Sequence, residues 1–150
     1  MAAFDVTFSD NLMSALLDTD CEKICRKALK EAAPILVDSL KKSARAAVLH
    51  EGESEMVNSI AFSEVKRTKD GSAYITTVGP RGYSKHIYDP DSIYESRIYV
   101  SNALKAVWKE YGIAGKQAPR PFIAHATGKA EVAVMRKLQE IYDDETGGRE

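Results

Sequence analysis

The chain has 150 residues, with 21 Lys and Arg against 22 Asp and Glu, a net charge of −1 and an apolar share of 44%. These values describe one globular domain over 1–150, which buries roughly 68–70% of its unfolded surface without staples. They exclude a globally disordered chain, and no apolar stretch approaches the ~18 residues of a membrane span. Balanced charge argues against a general nucleic-acid binder, and two cysteines cannot build a disulfide framework. The opening MAAFDVTFSD has neither the basic nor the apolar region of a secretory signal.

In chain order, Phe4, Val6 and Phe8 alternate with Asp5 and Thr7, which predicts a short N-terminal strand. Ser9 follows as an N-cap, and Leu12, Met13, Leu16 and Leu17 give a two-turn amphipathic helix. Thr19-Asp20-Cys21-Glu22 fits a capping box that opens a long helix over about 20–49. Its apolar stripe runs from Cys21 and Cys25 through Leu29, Ala32, Leu36 and Leu40 to Ala44 and Val48. Pro34 inside it predicts a kink near 30–34, or two helices sharing one stripe. Gly52 marks the stop, with one more turn from Ser54 to Val57.

A hairpin follows over about 60–78, turning at Lys69-Asp70-Gly71-Ser72, where Asp-Gly supplies positive φ cheaply. Ile60 and Phe62 share a parity that Val65 breaks, as a bulge would. Residues 81–99 read as an irregular insertion or interface loop. A helix resumes from Ser101, with Leu104, Val107, Trp108 and Tyr111 as its apolar face and Gly112 as its end. The last helix spans about 122–144, striped by Val134, Met135, Leu138, Ile141 and Tyr142, and 145–150 form a flexible tail. The sum is an α+β fold: a small antiparallel sheet, made of the hairpin and the N-terminal strand, covered by the long and the C-terminal helices.

Sequence patterns for chemistry are few. Cys21 and Cys25 fall on the apolar stripe without a third soft ligand nearby, which makes them packing residues. His50, His86 and His125 have no second ligand at metal spacing, and there is no G-x-S-x-G elbow, P-loop or dinucleotide fingerprint. No catalytic, cofactor-binding or metal residue is therefore assigned. The long helix carries a cationic face, with Lys23, Arg26, Lys27, Lys30, Lys41, Lys42 and Arg45 against Glu31 and Asp38. The segment after the hairpin interleaves Arg81, Lys85 and Arg97 with Tyr83, Tyr88, Tyr94 and Tyr99, a combination enriched at interface hot spots. Arg120, fixed between Pro119 and Pro121, is directed to Glu110, across a subunit boundary or simply to solvent. Phe122 anchors the start of the last helix in the core.

The C-terminal half carries an ordered pattern. Trp108-Lys109-Glu110-Tyr111-Gly112 is followed by a loop, then by Ala118-Pro119-Arg120-Pro121-Phe122-Ile123-Ala124-His125-Ala126 and an amphipathic helix. Upstream come a short strand, a long Ala-rich helix, a Gly52-to-Ile60 turn and the hairpin. Together, over roughly residues 4–143, this order resembles the minor tail-component family of long-tailed bacteriophages, the tail-completion or head–tail joining proteins. Ile113 stands where the family usually has Thr, and His125 where it often has Pro.

The resemblance implies a structural virion protein without enzyme activity or cofactor, made in the host cytoplasm. It implies a neck ring of the chain's own copies, a hexamer, that joins the tail to the head connector. The partners implied are a head-completion or connector protein and a tail terminator or tail tube protein. DNA would pass through the bore without specific binding, and no membrane is involved. Candidate interface residues are Arg81, Tyr83, Tyr88, Tyr94, Arg97, Tyr99 and Arg120; the motif residues Trp108, Tyr111, Gly112, Pro119, Pro121 and Phe122 are structural. Alternatives are a tail terminator ring, a nucleic-acid or acidic-partner module using the basic helix face, and a small enzyme assembled around His86, His125 and a carboxylate.

Overall fold

Alanine and leucine at helical spacing produce the most extensive helix–helix contact among the described residues. In the computed structural model, which describes residues 21–47, 54–87 and 97–147, helix α1 (Cys21–Ala47) is one element of 27 residues. Pro34 sits within it. Its side chain is exposed, as is Lys30, whose carbonyl loses its helical partner, so solvent can satisfy the freed group. One helix, not two, therefore carries the stripe. The N-terminal strand at 4–8, the helix after Ser9, the Gly52 stop and the two tyrosines at 88 and 94 lie outside the described residues.

The chain closes with α4 (Phe122–Thr146), whose buried residues Phe122, Ala126, Ala130, Val134, Leu138 and Ile141 recur every three or four positions. They meet Ala28, Ala32, Ala33, Leu36, Leu40 and Ala44 of α1 in one apolar cluster. The cross-links show that the two helices run antiparallel: Lys27 pairs with Glu145, the Ser39 hydroxyl donates to the Ala126 carbonyl at 2.9 Å, and the Arg120 guanidinium donates to the Ala47 carbonyl at 3.3 Å. Glu145, assigned to the tail by sequence, is thus inside α4, which ends where Gly147 turns to φ +71.

Between the two helices in sequence the described residues form α2 (Ser54–Asn58), which buries Met56 and Val57, and six short strands. These are β1 (Ile60–Phe62), β2 (Lys66–Arg67), β3 (Tyr74–Ile75), β4 (Val78–Pro80), β5 (Tyr83–Ile87) and β6 (Arg97–Ser101). All described pairings are antiparallel: β1 with β4, β2 with β3 and β5 with β6. The expected hairpin is present with its register shifted by one residue midway. Between the pairs Phe62–Val78 and Lys66–Ile75, three residues on one strand face two on the other. That is the bulge the Val65 parity break required. Ser63 stitches it through backbone and hydroxyl bonds to Thr76 and Thr77 of 2.8 to 3.0 Å. Val65 then packs on a small cluster of Cys25, Leu29 and Tyr74. Burial, with Cys21 adding to it, pushes the Cys25 thiol up to about 12, so it is a neutral core group at physiological pH. At the hairpin tip the Ser72 hydroxyl, followed by Thr68, holds the Asp70 carboxyl down at about 2.

The irregular segment expected over 81–99 is corrected at both ends, since 83–87 and 97–101 are paired strands. Helix α3 (Asn102–Tyr111) starts directly after β6, with the Ser101 hydroxyl accepting from the Leu104 amide at 3.3 Å. It stops at Gly112, where φ is +76 and an added Cβ would lie 2.6 Å from the Gln117 carbonyl oxygen. Two glycines consequently respond in opposite directions. Gly112→Ala destabilises the fold by more than ~1 kcal/mol, through both the left-handed φ and the backbone clash. Gly128→Ala, inside α4 where a Cβ meets nothing within 4 Å, stabilises it by about 0.5–1 kcal/mol. Urea denaturation of the two variants measures both signs.

Candidate assembly surfaces

Hydropathy assigns α3 an inward face of Leu104, Val107, Trp108 and Tyr111, and the structure turns that face outward. Leu104 is 43% exposed and Tyr111 75%, while Val107 and Trp108 are half-buried. The buried residues are Asn102, Lys105, Ala106, Lys109 and Glu110. Trp108 is accordingly not a fully buried core residue, contrary to the sequence reading.

Burying polar side chains is unfavourable unless each finds partners, and these do. The Asn102 amide donates to the Arg81 carbonyl at 2.7 Å, and its own oxygen accepts from the Ser84 hydroxyl. The Lys105 ammonium donates to the Ser84 hydroxyl and to the Lys85 carbonyl, both at 2.7 Å. Glu110 reaches the other way, to the start of α4. Its two carboxylate oxygens accept from the Ile123 and Ala124 amides at 2.8 and 3.1 Å. Those amides have no intrahelical acceptor, and a negative charge at a helix N-terminus is favoured by the macrodipole. No buried side-chain nitrogen or oxygen among the described residues lacks a partner.

Three surfaces result. The first is the outer face of the β5–β6 hairpin. Ser84 and Val100 point inward to α3, so the alternate residues Tyr83, Lys85 and Tyr99 point outward, with Tyr83 73% and Tyr99 62% exposed. Arg81 is exposed at the hairpin's base, Arg97 lies on β6, and Tyr88 and Tyr94 fall outside the described residues. Arg120 belongs to another place. It is half-buried, donating its backbone amide to the Lys109 carbonyl at 2.7 Å and its guanidinium to the last residue of α1. There a cation suits the helix C-terminus. Its partner within the chain is therefore α1, whereas Glu110 serves α4.

The second surface is an open apolar groove of about 450 Å³ on the opposite flank of α3. Leu40, Val78, Val107, Phe122 and Ile123 wall it, Tyr111 lines it with three-quarters of its surface open to solvent, and Glu110 is its carboxylate. Gly79 and Gly128 also line it, and a Cβ on either would meet nothing within 4 Å. Sequence reasoning missed this groove; its one legible trace was a glycine inside a helix with no turn to make.

The third is the basic face of α1, which is partly neutralised. Arg26 binds Glu22 at 2.8 Å and the Val65 carbonyl at 2.8 Å, and Lys27 binds Glu145. That hydrogen bond holds Glu145 below and Lys27 above their usual ranges. His125 is exposed on α4, and no group of three or more His, Cys, Asp or Glu residues that could hold a metal occurs among the described residues.

Residues 7–111 fit the model of the family described as "Bacteriophage HK97-gp10, putative tail-component", a stretch that closes with α3 and stops short of Pro119 to Phe122. No curated protein and no solved structure matches.

Glu110 both lines the groove and caps α4. Glu110→Ala strands two backbone amides and lowers stability by about 1–3 kcal/mol, while Glu110→Gln, which keeps one acceptor, loses less. Hydrogen exchange at Ile123 and Ala124 should accelerate in the Ala variant ahead of the rest of α4; unchanged protection there would contradict the cap.

Proposed function

The chain belongs to the HK97-gp10-like family of bacteriophage tail components, and on that premise we propose that it is a structural neck protein that joins the tail to the head connector. It acts as a ring of its own copies, six being the number the resemblance implies. Its further partners are a head-completion or connector protein on one side and a tail terminator or tail tube protein on the other. DNA passes through the bore without specific contacts. Function then consists of interface formation and calls for no catalytic group.

The observation that supports this reading is the outward-facing apolar side of α3 together with the exposed tyrosines of the adjoining hairpin. Leu104, Tyr111, Tyr83 and Tyr99 are all more than 40% exposed. Aromatic residues beside Arg and Lys are the composition of protein–protein hot spots, and large apolar side chains exposed on neighbouring elements are what a docking face presents. A nucleic-acid role for α1 has less support, because Arg26 and Lys27 are held by partners within the chain. No helix among the described residues is long and apolar enough to cross a membrane.

The test is reconstitution. Mixed with its connector and tail tube proteins, the chain should form a closed ring at their junction, visible by negative-stain imaging and native mass spectrometry. Particles made without it should accumulate as separate heads and tails. A chain that stays monomeric with both partners present, or heads and tails that join without it, would overturn the proposal.

A further inference from the structure

We propose that the subunit junction of the ring is a head-to-tail one, in which Tyr83 and Tyr99 of one copy insert into the α3–α4 groove of the next. The inference rests on the ring reading above and names the surface through which that ring closes.

Helix α3 separates the two halves of the junction. Asn102 and Lys105 face the hairpin through their bonds to Arg81, Ser84 and Lys85, whereas Ala103, Val107 and Tyr111 line the groove. At 3.6 residues per turn that groove stripe lies roughly half a turn from Asn102 and Lys105, with Ala106 and Glu110, which also line the groove, in between. Knob and groove therefore lie on different flanks of one short helix. Two different patches on different flanks give a heterologous contact, which propagates into a ring or filament and does not stop at a two-fold dimer.

The shapes and chemistry correspond. Tyr83 pairs with Ser101 and Tyr99 with Lys85, so the tyrosines are diagonal neighbours on one face, about 7–8 Å apart. They form a two-ring knob on a paired strand scaffold. A phenol combines an apolar ring with a hydroxyl donor. The groove combines apolar walls with one carboxylate, Glu110, whose oxygens each accept one amide and keep further acceptor capacity. Exposed Arg81 and Lys85 flank the knob, which brings cations toward that carboxylate. The groove is open where Gly79 and Gly128 carry no side chain, although glycine within a helix is unfavourable. Two tyrosines bury about 150–250 Å² each, less than the ~800 Å² per partner of a stable complex. A single junction is thus weak, and ring closure on the connector makes it persist.

Two variants leave the fold alone and remove one half each. Tyr83→Thr with Tyr99→Thr removes the knob at exposed strand positions. Gly128→Gln fills the groove from a helix position with open space above it. Both should melt at or above the wild-type temperature, apart from a small loss for the threonines. By sedimentation and native mass spectrometry, alone and with the connector, wild type should assemble beyond a dimer as concentration rises. Each variant alone should associate about 30-fold or more weakly, the loss of one hot spot. Their equimolar mixture should stop at a heterodimer, because one intact knob meets one intact groove and nothing remains to extend it. Assembly of either variant alone at wild-type strength overturns the pairing. If only the tyrosine variant still assembles, the groove receives something else, such as residues 4–17 of the neighbour, and the pairing is wrong. If wild type itself never assembles, with or without the connector, the ring reading falls and this junction with it.

Discussion

The orientation of α3 is set by hydrogen bonds to polar side chains, against the preference of its apolar ones. Asn102 and Lys105 are tied to Arg81, Ser84 and Lys85, and Glu110 is tied to the first amides of α4. A charged acceptor at a helix N-terminus contributes more than a neutral hydrogen bond, and leaving it or its donors unpaired in the interior is unfavourable. Once these bonds form, the helix cannot rotate to bury Leu104 and Tyr111 without stranding its polar residues. The hairpin on one flank, the groove on the other and the exposed apolar edge between them all follow from that constraint.

Most of the scaffold was legible because burial and periodicity agree there. Ala28 to Ala44 on α1 and Phe122 to Ile141 on α4 bury one stripe each against the other, and a stripe is what a sequence displays. The Val65 parity break signalled a real bulge, since Ser63, Thr76 and Thr77 supply hydroxyl and backbone bonds that absorb the extra residue. Reading failed where buried residues are polar. The α3 face was inverted because hydropathy cannot see that Ser84 stands opposite Asn102 and Lys105. The strands at 83–87 and 97–101 were missed for a related reason: their exposed face bears tyrosines and their buried face includes a serine, so the alternation does not look amphipathic. Tyr83 and Tyr99 were nonetheless picked out by residue type, and the structure places both on the outer face. Arg120 was picked out by its proline neighbours, and its guanidinium donates to the last carbonyl of α1.

A tail-component family fits a chain built in this way. The α1–α4 pair supplies stability through closely packed small residues, leaving α3 and the β5–β6 hairpin to present aromatic and apolar side chains outward. Near-zero net charge sets up little repulsion between copies, and the proposed junction would set cations at the hairpin against a carboxylate in the groove.

The central claim is that side chains on α3 and the hairpin are open in the free subunit and covered in the assembled neck. Hydroxyl-radical footprinting read by mass spectrometry tests it directly, on the isolated protein and on intact particles. The account predicts strong oxidation of Tyr83, Tyr99 and Tyr111 in the free chain and suppression of all three in the particle, with Tyr74, 4% exposed, protected in both. Equal oxidation of the three tyrosines in both states would contradict it.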